Sequence, residues 1–345
     1  MSKDKAKRVR RPAETWLFET MRMGPARGFA VMVAVIYGLF ITATLVADGL
    51  SILDAGSPYL LSVPAWSGLV LSLVISAGTA LLYYGRLAPH EEHAALIEAL
   101  GEGEALDRVM EDADTAHWSE TAAFWAGVVA GLGLAWVMLE ADGEDLAALL
   151  TASRIWFTIF IPLSIGLLFR AFVSSQLSDG VMRRAAREGY RHDTLRPERS
   201  FVFGRLALRG ALTWFLMAAI IMLFFVHGVG SIGAVLTAVV AIGGALSSLI
   251  GPLTAVRGEI RKAKETELDR LHAAMREARS GALDGDAGAA QRLGGLAAYE
   301  QAVRASPDWP VSAPVTTRFF LYILIPIVPW FGSAMAERIV MEMAR

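Results

Sequence analysis

Apolar and polar residues in this chain do not alternate; the apolar ones gather in runs. Six runs stand out: Phe29–Ala47, Val63–Tyr84, Thr121–Leu139, Leu149–Phe169, Leu206–Val226 and Ile232–Ala255. Each is long enough to cross ~30 Å of hydrocarbon at ~1.5 Å per residue. Backbone in lipid must satisfy its own N–H and C=O groups, so runs of this length predict helices. A membrane barrel would show alternating segments of about ten residues, and none occur. A seventh run, Phe319–Ala336, is interrupted by Pro326 and Pro329. Each proline withholds an N–H, so the carbonyls of Tyr322 and Ile325 lose helical partners. This run reads either as a kinked span, which its length favours, or as a segment that re-enters and returns. The expected fold is all-α: a polytopic transmembrane helical bundle of six spans with a kinked seventh.

The polar segments divide the chain. Residues 1–28 are a basic tail, 29–86 hold spans one and two, and 87–120 are acidic. Residues 121–169 hold spans three and four, 170–205 are basic, and 206–255 hold spans five and six. Residues 256–318 are a polar helical segment, and 319–345 hold the kinked span and an amphipathic tail. Within 87–120, Pro89 followed by Glu91 and Glu92 predicts a helix start. Leu268, Leu271, Met275 and Ala278 fall at helical spacing. Span six is therefore expected to run on as one long helix, bent near Gly251–Pro252.

Charge sets an orientation. Lysine and arginine crowd the tail, the 170–205 segment and the 256–318 segment, whereas 48–62, 140–148 and 227–231 contain neither. The basic segments fall on one side and the bare loops on the other. The positive-inside rule then predicts a cytoplasmic N-terminus, with the chain in a bacterial inner membrane. The ten carboxylates between Glu91 and Glu120 weigh little in topology. The polar stretch before Phe29 is too long for the n-region of a leader, so the first run is expected to stay as a permanent helix. Composition agrees: 54% of residues are hydrophobic and mean hydropathy is +0.46, where soluble domains hold ~45–50% apolar residues. The absence of cysteine excludes disulfides, thiolate ligands and cysteine nucleophiles.

Few residues carry candidate chemistry. Arg154 lies just inside span four, and Glu140, closing span three, is a nearby opposite charge across a short loop, so the two form a candidate structural or gating pair. Gly233, Thr237, Ala241 and Ala245 recur every fourth position, a candidate packing or pathway face. Gly244 with Ser248, and Gly127 with Gly131, share that spacing. Pro162, Pro326 and Pro329 are candidate kink residues, and Pro162 frees the carbonyl of Thr158. His90 and His93 flank Glu91 and Glu92 but lack the spacing of a zinc helix, so a solvated acidic face is expected there. Asp284 and Asp286 lack the later ligands of a calcium loop. No phosphate loop or nucleophile elbow occurs. We therefore expect no cofactor, no metal and no enzymatic activity. The basic segments suit anionic lipid headgroups, a homo-oligomer is an expected partner, and nothing suits nucleic acid.

The stretch Ala298–Arg304, then Trp309–Pro310, then Leu324–Gly332 leading into Ala336–Val340, resembles the C-terminal part of uncharacterised proteobacterial multi-pass inner-membrane proteins. The resemblance covers about the last fifth of the chain and brings no activity with it. Two functions remain open from the residues. A passive transport or channel-like role follows from the spans, kinks and small-residue face. A scaffold or signalling role follows from the large polar segments.

Overall fold

The computed structural model describes residues 12–49, 62–141, 151–194, 196–225 and 231–326. Helix is the only regular structure among them: α1 (Ala13–Met21), α2 (Pro25–Asp48), α3 (Val63–Glu91), α4 (His93–Leu100), α5 (Glu104–Asp114), α6 (Trp118–Ala141), α7 (Ala152–Gly189), α8 (Phe201–Met222), α9 (Ser231–Leu283), α10 (Ala287–Ala305) and α11 (Ala313–Ile323), with short 3-10 turns at Pro197–Ser200 and Leu223–Phe225. Six helical segments are long and apolar enough to span a bilayer, carried by α2, α3, α6, α7, α8 and α9. The protein is an all-helical, multi-pass membrane protein.

Trp118 and Trp136, both exposed on α6, lie five full helical turns apart. They therefore share one face, ~27 Å from end to end. That length is close to the ~30 Å hydrocarbon thickness; a third exposed tryptophan, Trp125, lies between them. Trp16 on α1 is likewise exposed. The Trp118 end of α6 is the charged side of the bundle, where Arg86, Glu120 and Arg170 meet; the Trp136 end is the bare side.

Small residues set how closely the helices approach. A Cβ on Gly127 would lie 2.7 Å from the carbonyl oxygen of Ile165, and one on Gly131 would collide with Pro162. The α6–α7 hairpin closes on those glycines, where dispersion rather than the hydrophobic effect holds helices together. Between α8 and α9, the Trp214 ring fills the notch at Gly244. Ala245 is fully buried among Phe215, Ala211 and Leu208 of α8. The central helix is α3, buried through Val70, Leu71, Val74, Ile75 and Ala77. On the charged side a separate core forms from α4, α5, the end of α7, the start of α8 and the middle of α9, around Leu96, Val109, Ala186, Phe203 and Ile260.

Three boundaries differ from the sequence pattern. Pro89 does not start a helix; α3 runs through it to Glu91, and the next helix starts at His93. Packing on neighbouring helices outweighs the one hydrogen bond that a proline removes. The helix that carries the fourth apolar run does not stop at Phe169; α7 continues to Gly189. The run 319–336 is preceded by helix from Ala313, and α11 ends at Ile323, before Pro326. Span six does continue as a single 53-residue helix, and Pro252 lies inside it. The C-terminal half of α9 pairs with α10: Tyr299 donates to Glu267 at 3.2 Å, and His272 meets Glu300 at 3.0 Å. That histidine contact holds the Glu300 carboxyl below its ordinary range. Lys264, buried on α9, donates to the Ser306 carbonyl and to Asp308 Oδ1, both at 2.7 Å.

Candidate functional site

Four spanning helices line a half-open cavity. α7 and α8 each pack on α3 and on α9, and the space left between the four is about 190 Å³. Along α3 its wall runs from Gly78 to Pro89, a rise of ~16 Å. The deep end is apolar, formed by Leu81, Leu168 and Met217. Phe172 of α7 and Trp214 of α8 meet edge to face at its side, 5.8 Å between centroids. Polar groups gather toward the charged side: Ser174, Ser175 and Asp179 of α7, Thr213 of α8 and Ser248 of α9.

Toward the bare side the cavity is shut. Val70, Val74 and Ala77 of α3 close on Met217 of α8. Above them Trp66 Nε1 donates to the Leu223 carbonyl at 2.8 Å. That carbonyl is available because α8 ends at Met222, and the last carbonyls of a helix have no partner of their own.

Two kinds of charge face this cavity. Arg86 of α3 is the first. Its Nε donates to Glu14 Oε1 at 3.0 Å, and its Nη2 to both oxygens of Glu120 at 2.8 Å. Arg170 completes a ring, with Nη2 at 2.6 Å from Glu14 Oε2 and Nε at 3.5 Å from Glu120 Oε2. Two arginines and two glutamates cancel. Their side chains are 8%, 16%, 1% and 2% exposed for Arg86, Arg170, Glu14 and Glu120, so pairing is what makes the burial tolerable. Arg86 Nη1 also reaches the carbonyls of Asp112, Ala113 and Thr115, the open end of α5. One ring thus ties α1, α3, α5, α6 and α7. Arg209, also in the cavity wall, is neutralised by Glu91 at 2.6 Å and lies over the Tyr84 ring at 3.8 Å.

Asp179 is the second kind. Ser248 Oγ donates to its Oδ1 over a long 3.4 Å, while Oδ2 is buried without a hydrogen-bond partner. Arg183, one turn along α7, turns its Nε to the Asp179 main-chain carbonyl at 3.1 Å. No ion pair to Asp179 forms among the described residues.

The residues singled out from sequence lie mostly elsewhere. Ala241 and Ala245 are buried, and neither lines the cavity; Thr237 is half-buried. Pro162 is buried against Gly131, distant in sequence from the polar groups of the cavity. Arg154 is half-buried at the start of α7; the Glu140 side chain, the surroundings of Gly233, and Pro329 lie outside the described residues. Pro326 is buried just past the end of α11. His90 meets Asp114 at 3.0 Å. Sequence reading treated Arg86, Arg170 and Glu120 as span boundaries and did not single out Asp179. Beside the charged-side core, burial pushes the Tyr190 hydroxyl up to about 12. Burial, with Lys264 nearby, pushes His192 down. Comparison with family models, curated proteins and solved structures finds no match to this chain.

Proposed function

We propose that this protein resides in a bacterial inner membrane with its N-terminus in the cytoplasm. There it provides a passive, channel-like pathway for a small solute through the cavity between α3, α7, α8 and α9. The carrying observation is that cavity: four spanning helices surround it, polar groups line its charged side, and an apolar contact with a single hydrogen-bonded latch shuts its bare side. Orientation rests on the arginine-rich segments, which also suit anionic headgroups. Reporter fusions after Asp54, Gly143 and Gly228 are expected to read periplasmic, and fusions after Ala105, Arg191 and Gly281 cytoplasmic. The flux test is stopped-flow light scattering on proteoliposomes challenged with a panel of small solutes. Wild type is expected to exceed empty liposomes for part of the panel. Gly78→Leu, which fills the deep end, is expected to abolish the excess. Wild type indistinguishable from empty liposomes across the panel would sink the reading.

One observation favours a second role beside it, as a scaffold or signalling subunit. The α9–α10 hairpin stands beyond the bilayer with most of its α10 side chains exposed. Deleting residues 284–305 is expected to leave flux intact if the hairpin serves only partners.

A further inference from the structure

Two prolines that line the cavity have a joint effect. Pro89 lies within α3 and Pro252 within α9, on different walls. A proline leaves the carbonyl four residues earlier without its helical N–H. Those carbonyls belong to Gly85 and Ser248, and both residues line the same cavity. Asp179 adds a carboxylate whose Oδ2 has no donor. Hydroxyls of Ser174, Ser175 and Thr213 stand in the same wall. Thr213 already spends its proton on the Gly210 carbonyl at 2.7 Å, which leaves its oxygen as an acceptor. The cavity is therefore rich in acceptors. Its two lining arginines are already neutralised, Arg86 by Glu14 and Glu120 and Arg209 by Glu91. Ser178, also in the wall, donates to Asp112 Oδ2 at 2.9 Å, Arg209 Nε is buried without a hydrogen-bond partner, and the remainder is hydrocarbon and aromatic ring.

We propose that the cavity binds a small organic ammonium ion, with its N–H groups on Asp179 and the freed carbonyls and its apolar body against Phe172 and Trp214. This names the substrate class for the pathway proposed above and rests on that reading. An ammonium group offers three donors and a positive charge, and the wall offers acceptors and a carboxyl group whose Oδ2 has no hydrogen-bond partner. The faces of Phe172 and Trp214 suit a cation or a ring equally. A bare alkali ion fits less well, because hard cations want oxygen on all sides, and one end of this cavity is apolar. Size agrees: an apolar cavity of about 150 Å³ takes up benzene, so 190 Å³ admits one ring with a short ammonium arm.

The test uses the full-length protein in detergent and isothermal titration calorimetry with phenethylammonium, its neutral counterpart 2-phenylethanol, and potassium chloride as competitor. Phenethylammonium is expected to bind about tenfold or more tighter than 2-phenylethanol, with no displacement by equimolar potassium. Asp179→Asn is expected to erase that preference and leave 2-phenylethanol unchanged. Equal affinity for the two phenethyl compounds, displacement by equimolar potassium, or an unaltered preference in Asp179→Asn overturns the proposal. If Asp179→Asn does not fold, the two ligands on the unaltered protein still decide. The two readings separate in liposomes. Ammonium binding without flux keeps the ligand class and removes the pathway. Flux without ammonium preference keeps the pathway and removes the ligand class.

Discussion

Arg86 and Asp179 stand in the wall of one cavity, yet the fold treats their charges in opposite ways. Arg86 donates to two carboxylates and three carbonyls. Asp179 accepts one long bond from a serine and keeps an oxygen without a donor. Both groups sit on helices whose neighbours are fixed by the same packing. The difference teaches that low dielectric alone does not decide the fate of a charge here. A closed ring of two arginines and two glutamates serves to join helices, and an open carboxylate leaves its interaction for something else.

The sharpest way to break this comparison is Arg86→Leu. It leaves Glu14 and Glu120 buried with Arg170 as their one shared cation. Removing one member of a buried charge network costs about 3–5 kcal/mol, so thermal unfolding in detergent is expected to shift steeply downward. An unchanged midpoint would mean the ring is ornamental. A second change separates packing from charge. Ala241→Leu places a larger side chain on a buried face of α9 and is expected to cost about 1–3 kcal/mol. Val240→Leu, at an exposed neighbouring position, is expected to cost little. Equal losses in the two variants would show that α9 packs through another face.

Asp179→Asn sharpens the comparison from the other side. It removes an uncompensated charge and keeps the shape, so stability is expected to stay level or rise by up to about 1 kcal/mol. A loss comparable to Arg86→Leu would show that Asp179 is structural after all. The smallest effect concerns Asp308. A hydrogen bond from Lys264, then the charges of Lys264, Arg257 and Arg261, hold its carboxyl below the ordinary range against the opposing effect of burial. The folded state therefore binds this proton less readily than the unfolded one. The contribution is complete above the ordinary carboxylate range, near pH ~4, and is lost as pH falls through the folded value. Hydrogen exchange in α10 is expected to speed up below that range in wild type and to show no such step in Asp308→Asn.

Sequence exposes the bundle and conceals the site for one physical reason. A span must be apolar along most of its length, so Phe29–Ala47 or Leu206–Val226 can be read without knowing any neighbour. The ring depends on neighbours alone. Glu14, Arg86, Glu120 and Arg170 come from four separate stretches, and each stands next to or within a segment where a charge already has a topological explanation. One signal was available: two arginines end apolar runs and a glutamate begins one on the same side, so antiparallel spans bring them to one level. Asp179 was hidden differently. The apolar run ends at Phe169, but α7 does not end there, and ten further residues carry Asp179 to a place opposite Ser248. The acidic 87–120 segment supplies partners to basic residues at and just beyond the end of the 170–205 stretch that no sequence pattern pairs with it: Glu92 and Glu91 receive Arg205 and Arg209, both at 2.6 Å.

The unbroken course of α9 through Pro252 makes it a lever. From Pro252, in the cavity wall, to Leu283, at the tip of the hairpin, is ~46 Å of continuous helix. A tilt of about 5° at the cavity would swing that tip by about 4 Å, more than the cavity itself changes. Occupancy of the cavity would then register as a displacement of a few ångströms in water, measurable between spin labels at Leu283 and at Glu98 on α4. The same rod works backwards: a partner that seizes the tip gains mechanical advantage over a site it never touches.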